Sequence, residues 1–252
     1  MSILEVEKVS KQFGGIKALD GVSLNLEKGE LVGLIGPNGS GKTTLFNIIS
    51  GILKPDEGAI IFENARIDRL PPNRIAVLGI SRTFQEVRLI NDLTVIENTM
   101  ISALPHFNME YERAAQHSVE ALKIVGLEKK SESLVSDLNL YERKLVELAR
   151  AISARPKLML IDEIMAGLTE EEQSRIAKIL NDLRDKHGIT IFWIEHVIRA
   201  MFKLVGVDRV IVLNWGEKLA EGSPQEILSN EDVIEAYLGK SSIRGGGIAQ
   251  SN

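Results

Sequence analysis

The residues best able to do chemistry stand early in the chain, where Gly36-Pro37-Asn38-Gly39-Ser40-Gly41-Lys42-Thr43 fits the spacing G-x-x-x-x-G-K-[ST]. Glycines at these intervals let backbone N–H groups close around a phosphate, and a following helix N-terminus adds positive partial charge. Lys42 then neutralises β and γ oxygens, Thr43 offers its hydroxyl to Mg²⁺, and Thr44 continues the binding run. A cradle of this kind needs carboxylates to hold the ion's water shell and to activate an attacking water. Leu158-Met159-Leu160-Ile161-Asp162-Glu163 ends an apolar run in two acids. Asp162 reads as the metal-side carboxylate and Glu163 as the base.

These groups act only if the chain positions them. The cradle follows the apolar run Leu31 to Ile35 and precedes Leu45, Ile48, Ile49 and Ile52, which fall at i, i+3, i+4 and i+7 of a helix. Further strand runs are Ile3 to Val9, Gly21 to Leu26 and Ala59 to Phe62, the last after the turn Pro55-Asp56-Glu57-Gly58. From about Leu93 to Ser153 the period becomes helical, as in Met109 to Val125 and Tyr141 to Ser153. After Pro156 buried-strand runs return, at Leu158 to Ile161, Ile189 to Ile194 and Arg209 to Leu213, with a helix from about Glu170 to Lys186. The expected architecture is α/β, one domain over 1–239, with its core in 1–92 and 154–239 and a helical insert over 93–153. The end over 240–252, with Gly245-Gly246-Gly247, lacks an apolar period and is expected to be flexible.

Composition narrows the function classes. At 252 residues and 44% hydrophobic the chain can bury one sizeable core. Zero cysteines exclude a disulfide framework, a thiolate nucleophile and a cysteine-ligated zinc; any metal is expected to be a hard, oxygen-liganded ion. The formal net charge of −5 argues against nucleic acid as a partner. The start lacks the pattern of a signal peptide, and no apolar run is long enough to span a bilayer, so a soluble chain is expected.

No Asn-Lys-x-Asp for reading guanine occurs, and the acid pair points to ATP. The order Walker A, then Thr83-Phe84-Gln85, then Walker B, then Ile194-Glu195-His196 resembles that of ABC ATPases, over Leu4 to Gly239. The resemblance implies a P-loop NTPase fold with a small antiparallel β subdomain and an inserted helical subdomain. It makes Gln85 the glutamine that reaches Mg²⁺ and the attacking water, His196 the switch histidine at the γ-phosphate, and Phe13 the aromatic that stacks on adenine. Where the family writes Leu-Ser-x-Gly-Gln, the chain has Leu138-Asn139-Leu140-Tyr141-Glu142. Asn139 with Glu142 matches a capping box, which keeps the helix N-terminus that the family aims at the opposite subunit's nucleotide. Tyr141 replaces a glycine at that close approach, and in Ala166-Gly167-Leu168-Thr169 a threonine stands where Asp is usual.

Within that class, Gly79-Ile80-Ser81-Arg82-Thr83-Phe84-Gln85, Leu93-Thr94-Val95-Ile96-Glu97-Asn98 and the end from Glu221 to Gly239 are similar to the ATP-binding subunit of branched-chain amino-acid importers. This implies an ATPase at the cytoplasmic face of the membrane, working with transmembrane permease subunits and, indirectly, a substrate-binding protein. The altered signature beside intact Walker motifs favours pairing with a different ATPase chain over a homodimer. The alternatives are a soluble ABC ATPase outside transport, which usually carries tandem P-loops or a long coiled coil, and a nucleotide-dependent regulator that does not hydrolyse.

Overall fold

Three five-residue runs, Leu31–Ile35 (β3), Leu158–Asp162 (β7) and Thr190–Ile194 (β8), are buried at every position. Strands apolar on both faces need cover on both sides, which is the setting of a parallel sheet. In the computed structural model, which describes residues 1–106, 110–195 and 205–238, these strands form its centre. Arg209–Asn214 (β9) extends it beside β3, Glu217–Gly222 (β10) pairs antiparallel with β9, and Ile80–Arg82 (β6) pairs with β7. The strand order is β10-β9-β3-β8-β7-β6.

Because successive side chains point to opposite faces, this sheet feeds two separate cores. Leu31, Met159, Ile161, Ile191, Trp193, Val210 and Val212 join one with the helices Leu140–Ser153 (α5) and Glu170–His187 (α6). Val32, Leu34, Leu158, Leu160, Phe192, Ile194 and Ile211 join the other with Lys42–Ile49 (α1) and a second, antiparallel sheet. That sheet is built from Ser2–Phe13 (β1), Ile16–Glu27 (β2), Glu57–Phe62 (β4) and Ala65–Arg66 (β5), in the order β2-β1-β4-β5. The β1–β2 hairpin outruns the strands expected up to Val9 and from Gly21. Its distal end projects with Gln12, Phe13, Ile16 and Lys17 all exposed, so no alternation of burial marks it.

α1 buries Leu45, Phe46, Ile48 and Ile49, but it stops at Ile49. Ile52, expected as the fourth residue of its stripe, lies past the helix and is 46% exposed. Gly51, at φ 74, has already turned the chain away. Pro72–Leu78 (α2) starts on a proline in its first turn and ends at Gly79 in the left-handed region. Between β6 and β7 run Val95–His106 (α3), Tyr111–Val125 (α4) and α5. In α5, Leu145, Leu148, Ala149 and Ile152 are buried, as the helical period predicts. The chain continues through Pro224–Ser229 (α7) and Glu231–Leu238 (α8). His196, Met109 and the expected tail over 240–252 lie outside the described residues.

Candidate nucleotide site

β3 delivers the glycine-rich run to the head of α1. A Cβ on Gly36, at φ +155, would stand 2.1 Å from the Leu213 carbonyl oxygen; one on Gly41, at φ +103, would stand 2.5 Å from that of Ala18. Neighbouring backbone therefore forces glycine at both places. Gly41 is also the N-cap of α1 and supplies no side-chain cap. The first-turn N–H groups, which lack partners inside any helix, stay available at the floor of a cleft of about 620 Å³ lined by Phe13, Asn38, Gly39, Ser40, Gly41, Lys42, Thr43, Thr44, Gln85 and Glu163. Lys42 is buried, and its Nζ donates to the carbonyls of Gly36 at 2.7 Å and Pro37 at 3.0 Å. Burial holds its ammonium below the usual lysine range, opposed by the charges of Glu163 and Asp162.

β7 ends in the two acids. Asp162 is 3% exposed, and its backbone N–H donates to Thr83 Oγ1 at 3.2 Å. Oδ2 accepts from Arg82 at 3.1 Å, while Oδ1 has no hydrogen-bond partner among the described residues. Burial pushes this carboxyl up, against the pull of Arg82 and Lys42. Glu163 follows at φ 48, a left-handed conformation unusual for a non-glycine residue, with its N–H bonded to the Ile194 carbonyl at 2.9 Å. Gln85 Nε2 donates to Glu163 Oε2 at 2.9 Å, across 78 positions of sequence. A hydroxyl on Thr43, a spare oxygen on Asp162 and the Gln85 amide make a hard donor set that suits Mg²⁺. Among the described residues no group of three or more His, Asp or Glu could hold a metal. An ion here would take its other ligands from phosphate and water.

Phe13, at the end of β1, is 47% exposed at the cleft, with the Lys11 ammonium 5.7 Å from its ring centre. Asn139 and Tyr141 do not line this cleft. Asn139 caps α5: its side chain accepts from Glu142 N at 2.9 Å, and Glu142 accepts in return from Asn139 N at 3.3 Å. The Tyr141 ring packs against the core that α5 shares with α6. Thr169, in the place of the usual Asp, is the N-cap of α6 and forms a capping box with Glu172.

Three residues near the site were not singled out for a role from sequence. Arg82 joins β6 to Asp162 and to α1. Glu147, in α5 and 2% exposed, accepts from the Phe84 N–H at 3.0 Å, which holds the segment leading to Gln85; burial raises its pKa against that bond and Arg150. Lys144, also buried, donates to the carbonyls of Ile164 at 2.8 Å and Ala166 at 2.6 Å, just past the acid pair. For Lys144 and Glu147 the available signal was a charge inside the apolar stripe of α5, a position where charge is rare unless paired.

A family model described as ABC transporter matches residues 19–166, and one described as branched-chain amino acid ATP-binding cassette transporter matches residues 217–242. The high-affinity branched-chain amino acid transport ATP-binding protein LivG of Salmonella typhimurium is 36% identical, over 94% of this chain and 98% of its own length. BraF of Pseudomonas aeruginosa, which carries the same description, is 34% identical with the same coverage. A nucleotide-free ATP-binding cassette from an ABC transporter superposes with a TM-score of 0.86 at 34% identity, covering 95% of this chain and all of its own. The ADP conformation of an ATP-binding cassette of an ABC transporter gives 0.83 at 34% identity, with the same coverage. One family model spanning more than half of the chain, and relatives at this identity spanning nearly all of it, place the chain among the ATP-binding cassettes of ABC transporters.

Proposed function

We propose that the chain binds ATP with Mg²⁺ in the cleft above α1 and hydrolyses it to power a membrane importer of branched-chain or other hydrophobic amino acids. The observation that carries this reading is the Gln85–Glu163 hydrogen bond beside Lys42, which joins three separate motifs at one cleft. When nucleotide enters, Lys42 exchanges its loop carbonyls for phosphate oxygens, a charge-assisted replacement for neutral partners. The first-turn N–H groups of α1 hold the β-phosphate. Thr43 and Asp162 would hold a metal ion with its water shell, which when bound would supply neutralisation of phosphate charge. Glu163 takes the proton of the attacking water while Gln85 fixes its carboxylate. Phe13 offers its face to adenine, and His196 serves the γ-phosphate by the family resemblance.

The site is coupled to a partner through a groove of about 290 Å³ whose lining includes Ile52, Val77, Phe84 and Ile101. Ile52, Val77 and Ile101 are exposed large apolar side chains, which suits an apolar helical segment of a permease subunit. No helix among the described residues is long and apolar enough to cross a membrane, so the chain works on the membrane through such partners, at its cytoplasmic face. We assign 93–153 as the helical insert that moves with the partner, and a second, different ATPase chain as the other half of a head-to-tail pair. The amino-acid substrate rests on the importer relatives and on the match over 217–242. The test is reconstitution of the affinity-purified chain, with the polytopic subunits it retains in detergent, into vesicles containing ATP. ATP-dependent leucine uptake that stops with Glu163→Gln is expected. Uptake indifferent to that substitution would refute the reading.

A further inference from the structure

Arg82 stands where the apolar groove meets the strand that carries the acids. It closes the edge strand β6, pairs in register with Leu160 of β7, and its side chain is only 7% exposed. One guanidinium nitrogen donates to Asn47 Oδ1 at 2.7 Å and Ser50 Oγ at 3.1 Å, at the C-terminal end of α1. The second terminal nitrogen donates to Asp162 Oδ2 at 3.1 Å, and Nε has no hydrogen-bond partner among the described residues. The same group lies 5.6 Å from the ring centre of Phe46 and 5.0 Å from that of Phe84. The helix that carries the phosphate cradle, the metal-side acid and the segment leading to Gln85 thus meet on one rigid planar fork.

An arginine suits this place and a lysine does not. The planar guanidinium donates in fixed directions to two elements at once and stacks on aromatic faces, whereas an ammonium is a point charge on a flexible stem. Desolvating it is costly unless those partners are in place. The bond to Oδ2 also decides how Asp162 is presented, because its other oxygen, Oδ1, has no partner among the described residues.

We propose that Arg82 is a positioning residue for the hydrolysis reaction, anchoring Asp162 through Oδ2 to the end of α1 so that Oδ1 is held ready for the metal's water shell. Through Phe84 it also ties that carboxylate to the groove, since both Arg82 and Phe84 line it. This rests on the reading of the cleft as a Mg-ATP site.

The experiment titrates a fluorescent ATP analogue into the full chain, first in chelator and then in rising Mg²⁺, for the wild type, Arg82→Met, Arg82→Lys, Asp162→Asn and the double variant Arg82→Met/Asp162→Asn. Metal-free affinity is the reference for each variant and should stay within about twofold in Arg82→Lys, which keeps the charge and leaves the backbone cradle and Lys42 untouched. The Mg²⁺ concentration needed for half-maximal tightening should rise about tenfold or more in Arg82→Met and Arg82→Lys, as one charge-assisted bond to Asp162 is lost or misplaced. In the Asp162→Asn background, Arg82→Met should add nothing further to the metal requirement. If Arg82→Met does not fold, Arg82→Lys against Asp162→Asn carries the same comparison. An unchanged Mg²⁺ requirement in Arg82→Lys and Arg82→Met, or an additive shift in the double variant, would overturn the proposal. A wild type that binds no analogue would instead overturn the nucleotide site on which it rests.

Discussion

Replacing Lys42 by alanine should separate nucleotide affinity from fold stability. In the structure its Nζ is satisfied by the carbonyls of Gly36 and Pro37, which border the solvent-open cleft, and burial works against its charge. Water can replace the ammonium at those carbonyls, and a desolvated charge is removed at the same time. The unliganded stability should therefore change by no more than about 1 kcal/mol. With polyphosphate bound, the loss is different in kind. Hydrogen bonds involving a charged group are worth about 1.5–3 kcal/mol each, and Lys42 serves two phosphates, so affinity should fall about a hundredfold or more. At a ligand concentration of about 100 Kd the wild type gains about 2.7 kcal/mol, and after a hundredfold weakening the gain is about 0.4 kcal/mol. For a domain of this size each kcal/mol moves the melting midpoint by about 2–4 °C, so a shift of roughly 5–10 °C should shrink to about 1–2 °C. Thermal melts with and without Mg-ATP measure both numbers. A variant that keeps the full ATP-induced shift refutes the assignment of Lys42 to the phosphates, and one that loses stability without ATP refutes the separation.

Glu163→Gln should retain ATP and hydrolyse it about 10² to 10⁴ times more slowly, measured as phosphate release by the assembled transporter. If the two composite sites are unequal, as the altered signature predicts, the matching substitution in a partner ATPase should cost far less; equal losses would support equivalent sites. Asn139→Ala removes the cap of α5 and should cost about 0.5–2 kcal/mol of stability in a denaturant titration, with Asn139→Asp largely preserving it. Burial raises the pKa of Glu30, but the two bonds from Arg209, at 2.9 Å each, together with the Glu27 N–H and the Arg209 charge, outweigh it and leave the folded pKa below the ordinary value. That contribution is present above the unfolded carboxylate pKa and is lost as pH falls through the folded one. Glu30→Gln should therefore flatten the acid limb of the stability profile and leave its alkaline limb unchanged.

Much of this was legible in the sequence because the chemistry there is local. Gly36 to Thr44 is a contiguous turn whose glycines answer to backbone contacts, and β3, β7 and β8 are apolar on both faces. Asn139 and Glu142, three residues apart, announce a capping box that the structure contains. What could not be read depends on residues meeting across the fold. Ile52 continues the periodic stripe of α1 on paper, yet the positive φ of Gly51 ends the helix first. β6 has three residues and β5 two, too short for any period, and α2 buries only Ile75. Arg82 and Glu147 acquire meaning only from Asp162 and Phe84, far from them in sequence.

The same distinction bears on the altered signature. In sequence, Tyr141 looks like an obstruction at the head of α5, because a glycine there lets backbone approach a phosphate closely. In the structure its side chain turns back onto the core shared with α6, while the helix start is built by Asn139 and Glu142, with Lys130 bonded to Glu142 at 2.5 Å. The N-terminus of α5 is therefore capped by its own side chains rather than left open as that of α1 is at Gly41. An anion approaching α5 must displace or share those bonds, which weakens the contact without abolishing the favourable dipole. Farther along the same helix, Lys144 holds the carbonyls that follow Glu163, and Glu147 holds the segment before Gln85. In the proposed head-to-tail pair, α5 would thus be a poor phosphate ligand for the partner's site and a firm brace for its own, an inequality that follows from which end of the helix carries the bonds.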